Sequence, residues 1–240
     1  MYRYKELEKQ IDVKFKDHAL VDNVFVHKSY VNEHKKEGVE SNERLEFLGD
    51  AVLELVVTEY LYKNFPEHQE GEMTNWRSAL VKGRHLAEIG VELNLGPYLY
   101  LSKGEEKSGG RKKNYILANT VEALIGAVYL EKGYATSHKF IDKFIIARLK
   151  EILEEGLHID PKSRFQEIAQ DRLEVTPNYE TLGEEGPDHS KAFTVGAYLK
   201  DELVAKGKGS SKQKAEEDAA VKALKKMGWD KLKIKEGKFE

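Results

Sequence analysis

The segment from Asn42 to Leu53 constrains this chain more than any other. Its apolar run continues to Tyr62, and Pro66 stops it. Apolar residues recur on almost every side of a helix drawn through it, which predicts a long, buried helix. At about 100° per residue, its acids fall on one narrow stripe, which consists of Glu43, Glu46, Asp50 and Glu54. The sequence therefore predicts several carboxylates on one face of a core helix.

Carboxylates that are buried together repel one another and lose hydration, which costs several kcal/mol per ion unless cations or hydrogen-bond donors compensate. A divalent metal ion would provide that compensation. Gly49 disfavours a helix interior by about 1 kcal/mol relative to Ala, so we expect another backbone to approach there. The alternative is a solvated acidic stripe, but the surrounding apolar residues leave little room for a free face.

A second apolar helix is predicted from Tyr115 to Lys132. Its one polar stripe carries Asn119 and Glu122, with Gly126 one turn later. A metal site built between two helices requires such a carboxylate and such a glycine. A structural glutamate is the alternative explanation for Glu122 taken alone.

The rest of the first 155 residues also predicts helices, over 4–11, 17–34, 74–93 and 135–155, and shows no strand pattern. We therefore expect an all-helical domain. His27 and Ser29 lie too close in sequence to face one another on a helix, so a packed or hydrogen-bonded histidine is expected. The glycine-rich stretch 104–113 carries four basic residues, which indicate either phosphate contacts or a flexible solvated loop.

The pattern changes after a predicted linker, Gly156 to Pro161. A helix is predicted over 162–173, a strand over 177–182, and a hairpin over 192–199 and 202–205 that turns at Lys200 and Asp201. A last helix follows over 212–227, with Ser211 as its N-cap. This order predicts an α+β module with its helices on one face of the sheet.

Lysines Lys212 and Lys214 stand at the start of that last helix, where free N–H groups favour phosphate. Four lysines and no acid lie between residues 206 and 214, although the net charge of the chain is -3. An acidic site and a separate basic patch suit a protein that holds a polyanion and brings a metal ion to it. A merely solvated lysine-rich loop is the competing interpretation.

Cysteine is absent from the sequence, which excludes disulfides and thiolate metal sites and fits a reducing compartment. The charged start of the chain has no signal-peptide core. No stretch approaches the roughly 20 apolar residues that a membrane span needs. We expect a soluble, cytoplasmic protein.

Several of these segments resemble ribonuclease III. The stretch from Asn42 to Val52 resembles the family's signature motif, and 104–111 and 116–127 resemble two further family segments. Residues 161–227 resemble a double-stranded RNA-binding domain. The resemblance covers nearly the whole chain and implies an endonuclease domain over 1–155, a linker over 156–161, an RNA-binding domain over 162–228 and a tail over 229–240.

The resemblance implies a homodimer, formed through the N-terminal domain, that cuts both strands of double-stranded RNA. It implies Mg²⁺ as cofactor, with Mn²⁺ as a substitute, products with 5′-phosphates, 3′-hydroxyls and a short 3′ overhang, and a role in processing rRNA and mRNA precursors. Position by position, it assigns the metal to Glu46, Asp50 and Glu122, of which Asp50 and Glu122 are catalytic. It places Glu43 near the dimer interface by the scissile strand, with Phe47 and Leu48 facing the partner, and Glu70 near the site. It assigns RNA contacts to Gln166, Gln170, His189, Lys212 and Lys214.

One position departs from the family pattern, which has Asp where this chain has Asn119. A carboxamide oxygen can coordinate Mg²⁺ but brings no charge, and hard cations prefer carboxylates. We therefore expect Asn119 to be a weaker metal ligand and cleavage to be slower. Asn119 favours one alternative, a double-stranded RNA-binding protein that cleaves weakly or not at all. A second alternative, independent of Asn119, is a helical metal hydrolase of small phosphate compounds with an incidental basic tail.

Overall fold

The computed structural model describes residues 3–35, 38–154, 156, 160–187 and 191–230. The chain divides into two compact units, Met1–Glu151 and Ile152–Glu240. Part of the predicted linker and most of the predicted tail lie outside the described residues. Within the described residues, no helix is both long enough and apolar enough to span a membrane.

The first unit is helical, as predicted. Its helices are α1 (Lys5–Ile11), α2 (His18–Val24), α3 (Lys28–Glu33), α4 (Glu43–Asn64), α5 (Glu70–Leu80), α6 (Gly83–Glu92), α7 (Lys103–Lys107), α8 (Asn114–Lys132), α9 (Tyr134–Phe144) and α10 (Leu149–Glu154). Short 3-10 helices lie at Gly96–Tyr98, Gly110–Lys112 and Ile146–Arg148. The last of these, with α10, completes the segment predicted as one helix over 135–155.

The core of this unit forms around α4 and α8. Apolar residues on the inner face of α4 are fully buried, and α8 is buried almost all round. The buried α4 residues include Leu53, Val56 and Val57. Burial of each such side chain stabilises the fold by about 1.5–3 kcal/mol.

Besides the segment 135–155, two segments predicted as single helices are interrupted. The helix predicted over 17–34 ends at Val24 and restarts at Lys28. Between them, Val26 pairs with Tyr100 as an isolated β-bridge, and its carbonyl accepts from the backbone N–H of Asn42 at 2.8 Å. The second, predicted over 74–93, is α5 and α6, which are separated at Val81 and Lys82. At the first break, hydrogen bonds to distant segments replace helical ones.

The second unit has the predicted α+β order. Helix α11 (Pro161–Leu173) precedes the strands β1 (Pro177–Glu185), β2 (Ala192–Leu199) and β3 (Glu202–Gly209), and α12 (Lys212–Lys226) follows. The sheet is antiparallel in the order β1-β2-β3. Leu199 pairs with Glu202, which confirms the turn at Lys200 and Asp201.

Both helices of this unit contribute to one core with the sheet. It contains Phe165 and Ile168 from α11, Ala197 and Val204 from the sheet, and Ala219, Ala220 and Leu224 from α12. Strand β3 continues four residues beyond its predicted end, through Gly207 and Gly209. A Cβ atom on Gly207 would lie 2.2 Å from the carbonyl oxygen of Ala215, so glycine lets β3 contact the α12 backbone.

Candidate functional site

Helices α4 and α8 touch backbone to backbone at two glycines. A Cβ atom on Gly49 would lie 1.7 Å from the carbonyl oxygen of Glu122. A Cβ atom on Gly126 would lie 2.3 Å from the carbonyl oxygen of Leu45. Any larger residue at either position would push the helices apart. The close approach predicted at Gly49 is therefore confirmed, and it brings Glu122 beside the acidic stripe of α4.

The acids of the two helices interact across this contact. Burial raises the pKa of Glu122 to about 7, and the negative charges of Asp50 and Glu46 add to the effect. Burial also raises the pKa of Glu46, as do the charges of Glu43 and Asp50. Because the charges of Glu43 and Asp50 act on Glu46, and those of Asp50 and Glu46 act on Glu122, these carboxylates form one electrostatic cluster.

Asn119 belongs to the same cluster. Its side chain makes a hydrogen bond to the Glu46 side chain, and this bond lowers the pKa of Glu46 against the effect of burial. An amide N–H is the group that can donate to a carboxylate. Asn119 therefore stabilises the ionised form of Glu46.

The predicted burial of α4 on nearly every side is wrong on its outer face. Phe47 is 80% exposed, and Leu55 and Tyr62 are also exposed. Glu43 and Asp50 are exposed, whereas Glu46, Glu122 and Asn119 are half-buried. The carboxylates thus lie where the contact between α4 and α8 reaches the protein surface, so a ligand can reach them.

The donor set has the chemistry that a hard divalent cation requires. Oxygen ligands with negative charge are those that Mg²⁺ prefers, and the pKa of Glu122 is raised first by burial and then by the negative charges of Asp50 and Glu46. Within the described ranges, no three His, Cys, Asp or Glu side chains converge tightly enough to hold a metal ion. The side chains supply the oxygen ligands that such an ion needs. To bind it, they have to rotate toward a common point.

Two further predicted acids have partners of their own. Glu43 accepts a hydrogen bond from Ser41 at 2.9 Å and lies 3.5 Å from the ammonium of Lys28. Glu70 is the first residue of α5 and accepts from the Thr74 hydroxyl at 2.9 Å. Glu43 therefore lies at the edge of the carboxylate cluster, where its charge acts on Glu46.

His27 is hydrogen-bonded, as predicted, but the expectation that it cannot face Ser29 is wrong, because His27 is the N-cap of α3 and its backbone is extended. It caps α3, and its Nδ1 lies 2.9 Å from the hydroxyl of Ser29. That hydroxyl also accepts from the backbone N–H of Ser102 at 3.1 Å. These bonds hold the start of α3 against the segment that leads into α7.

The stretch 104–113 is an ordered helical turn, not a free loop. Arg111 donates to the carbonyls of Gly96 and Leu99 at 3.0 and 2.9 Å and pairs with Glu106 at 2.7 Å. Lys113 pairs with Glu105 at 2.6 Å, and this ion pair lowers the pKa of Glu105. Two of the four basic residues therefore stabilise the fold. Lys107 and Lys112 are exposed.

The second unit presents its predicted RNA contacts on its surface. Ser211 caps α12 by accepting from the backbone N–H of Lys214, as predicted. Lys212 and Lys214 are exposed in the first turn, and Lys212 lies 3.5 Å from Glu184. Gln166 and Gln170 are exposed one turn apart on α11. His189 lies outside the described residues.

Lys28 is a charged group that the sequence-based site did not include. It directly follows His27, in a stretch whose pattern indicated packing alone, and only the fold brings it beside Glu43. The sequence signal that could have identified Lys28 is its position directly after His27, the N-cap of α3.

Comparison with known proteins agrees with both units. A family model described as ribonuclease-III-like matches residues 17–149, and the double-stranded RNA binding motif matches 161–227. Ribonuclease 3 of Carboxydothermus hydrogenoformans is 45% identical over 218 residues, which are 91% of this chain and 93% of that protein. Ribonuclease 3 of Pelotomaculum thermopropionicum is 44% identical over 220 residues, with 92% and 91% covered.

A solved structure is also similar. The nuclease domain of ribonuclease III from Campylobacter jejuni, studied for the flexibility of the region involved in its dimer formation, is 39% identical. The match has a TM-score of 0.56 and covers 60% of this chain and 97% of that chain. Together with the adjacent carboxylates of α4 and α8, these matches show that the chain belongs to the ribonuclease III family of double-stranded RNA endoribonucleases.

Proposed function

We propose that the protein is a Mg²⁺-dependent endonuclease that hydrolyses both strands of double-stranded RNA. The products are 5′-phosphates and 3′-hydroxyls with a short 3′ overhang, and precursors of rRNA and mRNA are the proposed substrates. The observation that carries the proposal is the electrostatic coupling of Glu122 to Asp50 and Glu46 across the contact of α4 with α8.

Glu46, Asp50, Glu122 and Asn119 are the proposed metal-binding residues. A bound Mg²⁺ supplies an activated water, its orientation and charge stabilisation for the departing 3′ oxygen. Mn²⁺ prefers similar oxygen ligands, so we expect it to substitute. The protein's own contribution is to hold these oxygen donors together on two helices that cannot slide apart without breaking the Gly49 contact.

The residues of the site also handle protons. A group with a pKa of about 7 exchanges its proton at neutral pH, so Glu122 must lose a proton when it binds a cation. The hydrogen bond from Asn119 lowers the pKa of Glu46 and so opposes the effect of burial, which raises it. Asn119 thus supports the neighbouring ligand although it contributes no charge of its own.

The second unit supplies affinity for the duplex. We propose that Gln166 and Gln170, which are exposed on α11, reach a minor groove and that the exposed Lys212 and Lys214 contact phosphates. His189 is a further predicted groove contact. Such contacts read the A-form shape of duplex RNA more than its sequence.

We further propose that two copies associate through the N-terminal unit. Phe47 stands 80% exposed beside the acidic stripe, and a lone aromatic of this kind is typical of an interface. The similar nuclease domain of C. jejuni forms a dimer through a defined region. Two-fold symmetry would assign one site to each strand. A Phe47→Asp variant should sediment as a monomer, and an unchanged dimer would exclude this interface.

The alternative is a protein that binds double-stranded RNA and cleaves it weakly or not at all. It is favoured by Asn119 and by the absence, within the described residues, of a preformed metal-ligating triad. Incubation of long duplex RNA with and without Mg²⁺, followed by sizing of the products, separates the two. Mg²⁺-dependent short duplexes support the nuclease, whereas intact RNA that is nevertheless bound supports the alternative.

A further inference from the structure

Lys28 places a positive charge at the edge of the carboxylate cluster. Its ammonium lies 3.5 Å from Glu43, and both side chains are more than half exposed. The charges that act on Glu46 include those of Glu43 and Asp50, which are negative, and that of Lys28, which is positive. Positive and negative side chains therefore lie close together at this edge of the carboxylate cluster.

The backbone that carries Lys28 is fixed on two sides. The Asn42 side chain donates to the carbonyl of Val24 at 2.9 Å, which joins this segment to the start of α4. On the other side, the Ser29 hydroxyl accepts from the backbone N–H of Ser102. Lys28 is thus the first residue of a helix whose start is hydrogen-bonded on two sides, and its side chain is 63% exposed.

An exposed ion pair of this kind contributes little stability, about 0.2–1 kcal/mol. Fold stability therefore does not explain why a lysine lies beside a cluster of acids. A polyanion that approaches those acids is repelled by them, and a cation at their edge offsets this repulsion. The same cation opposes the binding of Mg²⁺ to the acids.

We propose that Lys28 is a phosphate-binding residue of the nuclease site. When RNA binds, the Lys28 side chain breaks its ion pair with Glu43 and contacts a backbone phosphate of the strand that lies across the carboxylates. This inference rests on the proposed function. It predicts opposite effects of one substitution on the two ligands of the site: removal of the charge weakens RNA binding and strengthens Mg²⁺ binding.

The test compares the wild-type protein with Lys28→Gln. We expect KM for long duplex RNA to rise about threefold, as for one partly exposed unit charge. The slope of log affinity against log salt should become shallower by about 0.7–0.9, the value for one phosphate contact. The Mg²⁺ concentration for half-maximal cleavage should fall. Lys28→Arg should restore wild-type values of all three.

Lys63→Gln is the matched control. The Lys63 side chain is 65% exposed, compared with 63% for Lys28. Lys63 pairs with Glu59 near the C-terminal end of α4, whereas Lys28 pairs with Glu43 at the start of α4. Lys63→Gln should leave all three quantities unchanged. An unchanged salt slope in Lys28→Gln overturns the proposal, and so does a rise in both KM and the Mg²⁺ requirement, which indicates general damage to the site.

The salt slope is also measured by binding of a labelled duplex without Mg²⁺. If the wild-type protein binds RNA but never cleaves it, the proposed nuclease function fails. A shallower binding slope for Lys28→Gln would still support the phosphate contact. An unchanged slope would overturn it whether or not cleavage occurs.

Discussion

The carbonyl oxygen of Glu122 occupies the space that a side chain at position 49 would need. An added Cβ on Gly49 would lie 1.7 Å from that oxygen, well inside van der Waals contact. The same contact sets the distance between the acids of α4 and α8. One glycine therefore determines both the packing of the core and the geometry of the site.

Gly49→Ala should strongly destabilise the protein, since overpacking a tight core costs about 1–3 kcal/mol or more. Thermal unfolding followed by circular dichroism measures this. Gly71→Ala is the control, because Gly71 also lies in a helix but has nothing within 4 Å of an added Cβ. That variant should be neutral or slightly more stable. Equal melting temperatures of the two variants would contradict the described crossing.

Glu122→Gln should stabilise the metal-free protein at high pH. The pKa of Glu122 is about 7 in the fold, above its ordinary 4.5. The native state therefore holds this proton more tightly, and its stability falls as pH rises from 4.5 through 7. At pH 8 in EDTA, we expect the variant to exceed the wild type by about 1–2 kcal/mol, and at pH 4.5 to match it.

Glu67→Gln, which removes an exposed carboxylate between helices, is the control. Addition of Mg²⁺ at pH 8 should raise the melting temperature of the wild type and leave that of Glu122→Gln nearly unchanged. A Mg²⁺ response of equal size in both proteins would remove Glu122 from the metal site.

Asn119→Asp should lower the Mg²⁺ concentration needed for half-maximal cleavage, because it adds a charged oxygen ligand. It also removes the hydrogen bond to Glu46 and adds a like charge beside it. Without Mg²⁺, the variant should therefore be less stable than the wild type at pH 8. Cleavage assays over a Mg²⁺ series check the first effect, and indistinguishable curves would refute it.

Removal of residues 156–240, which follow α10, should leave a folded nuclease unit that binds duplex RNA weakly and loses it at moderate salt. Lys212 and Lys214 are lost with these residues, and each phosphate contact contributes to the salt slope. Filter binding from 50 to 200 mM KCl measures the change. A truncated protein with full affinity would contradict this prediction. Retained activity on small phosphate esters, with no preference for duplex RNA, would favour the helical metal hydrolase of small phosphate compounds.

Much of the site could be predicted from the sequence because its signals are local. The spacing of Glu46 and Asp50 places them on one stripe, and Gly49 indicates a close contact without naming the partner. Glu122 is predicted in the same way, from the polar stripe of α8 and from Gly126 one turn later. The half-buried positions of Glu46 and Glu122, beside an exposed Asp50, depend on how two helices cross, and periodicity within one helix does not contain that information.

Other features depend on contacts between distant parts of the chain. The break between α2 and α3 is stabilised by Tyr100 and Asn42, which a helical pattern over 17–34 cannot reveal. Arg111 suggested phosphate binding by its charge, yet backbone carbonyls at Gly96 and Leu99 receive its N–H groups. Phe47 suggested core packing by its type, but α8 lies against another face of α4.

The central claim is that the acids joined by the Gly49 contact bind the metal that cleaves RNA. The most direct measurement is the sizing of products from long duplex RNA after incubation with wild type and Glu122→Gln, with and without Mg²⁺. We predict short duplexes only from wild type with Mg²⁺, and unimpaired RNA binding by the variant. Mg²⁺-dependent products of equal yield from Glu122→Gln would contradict the account.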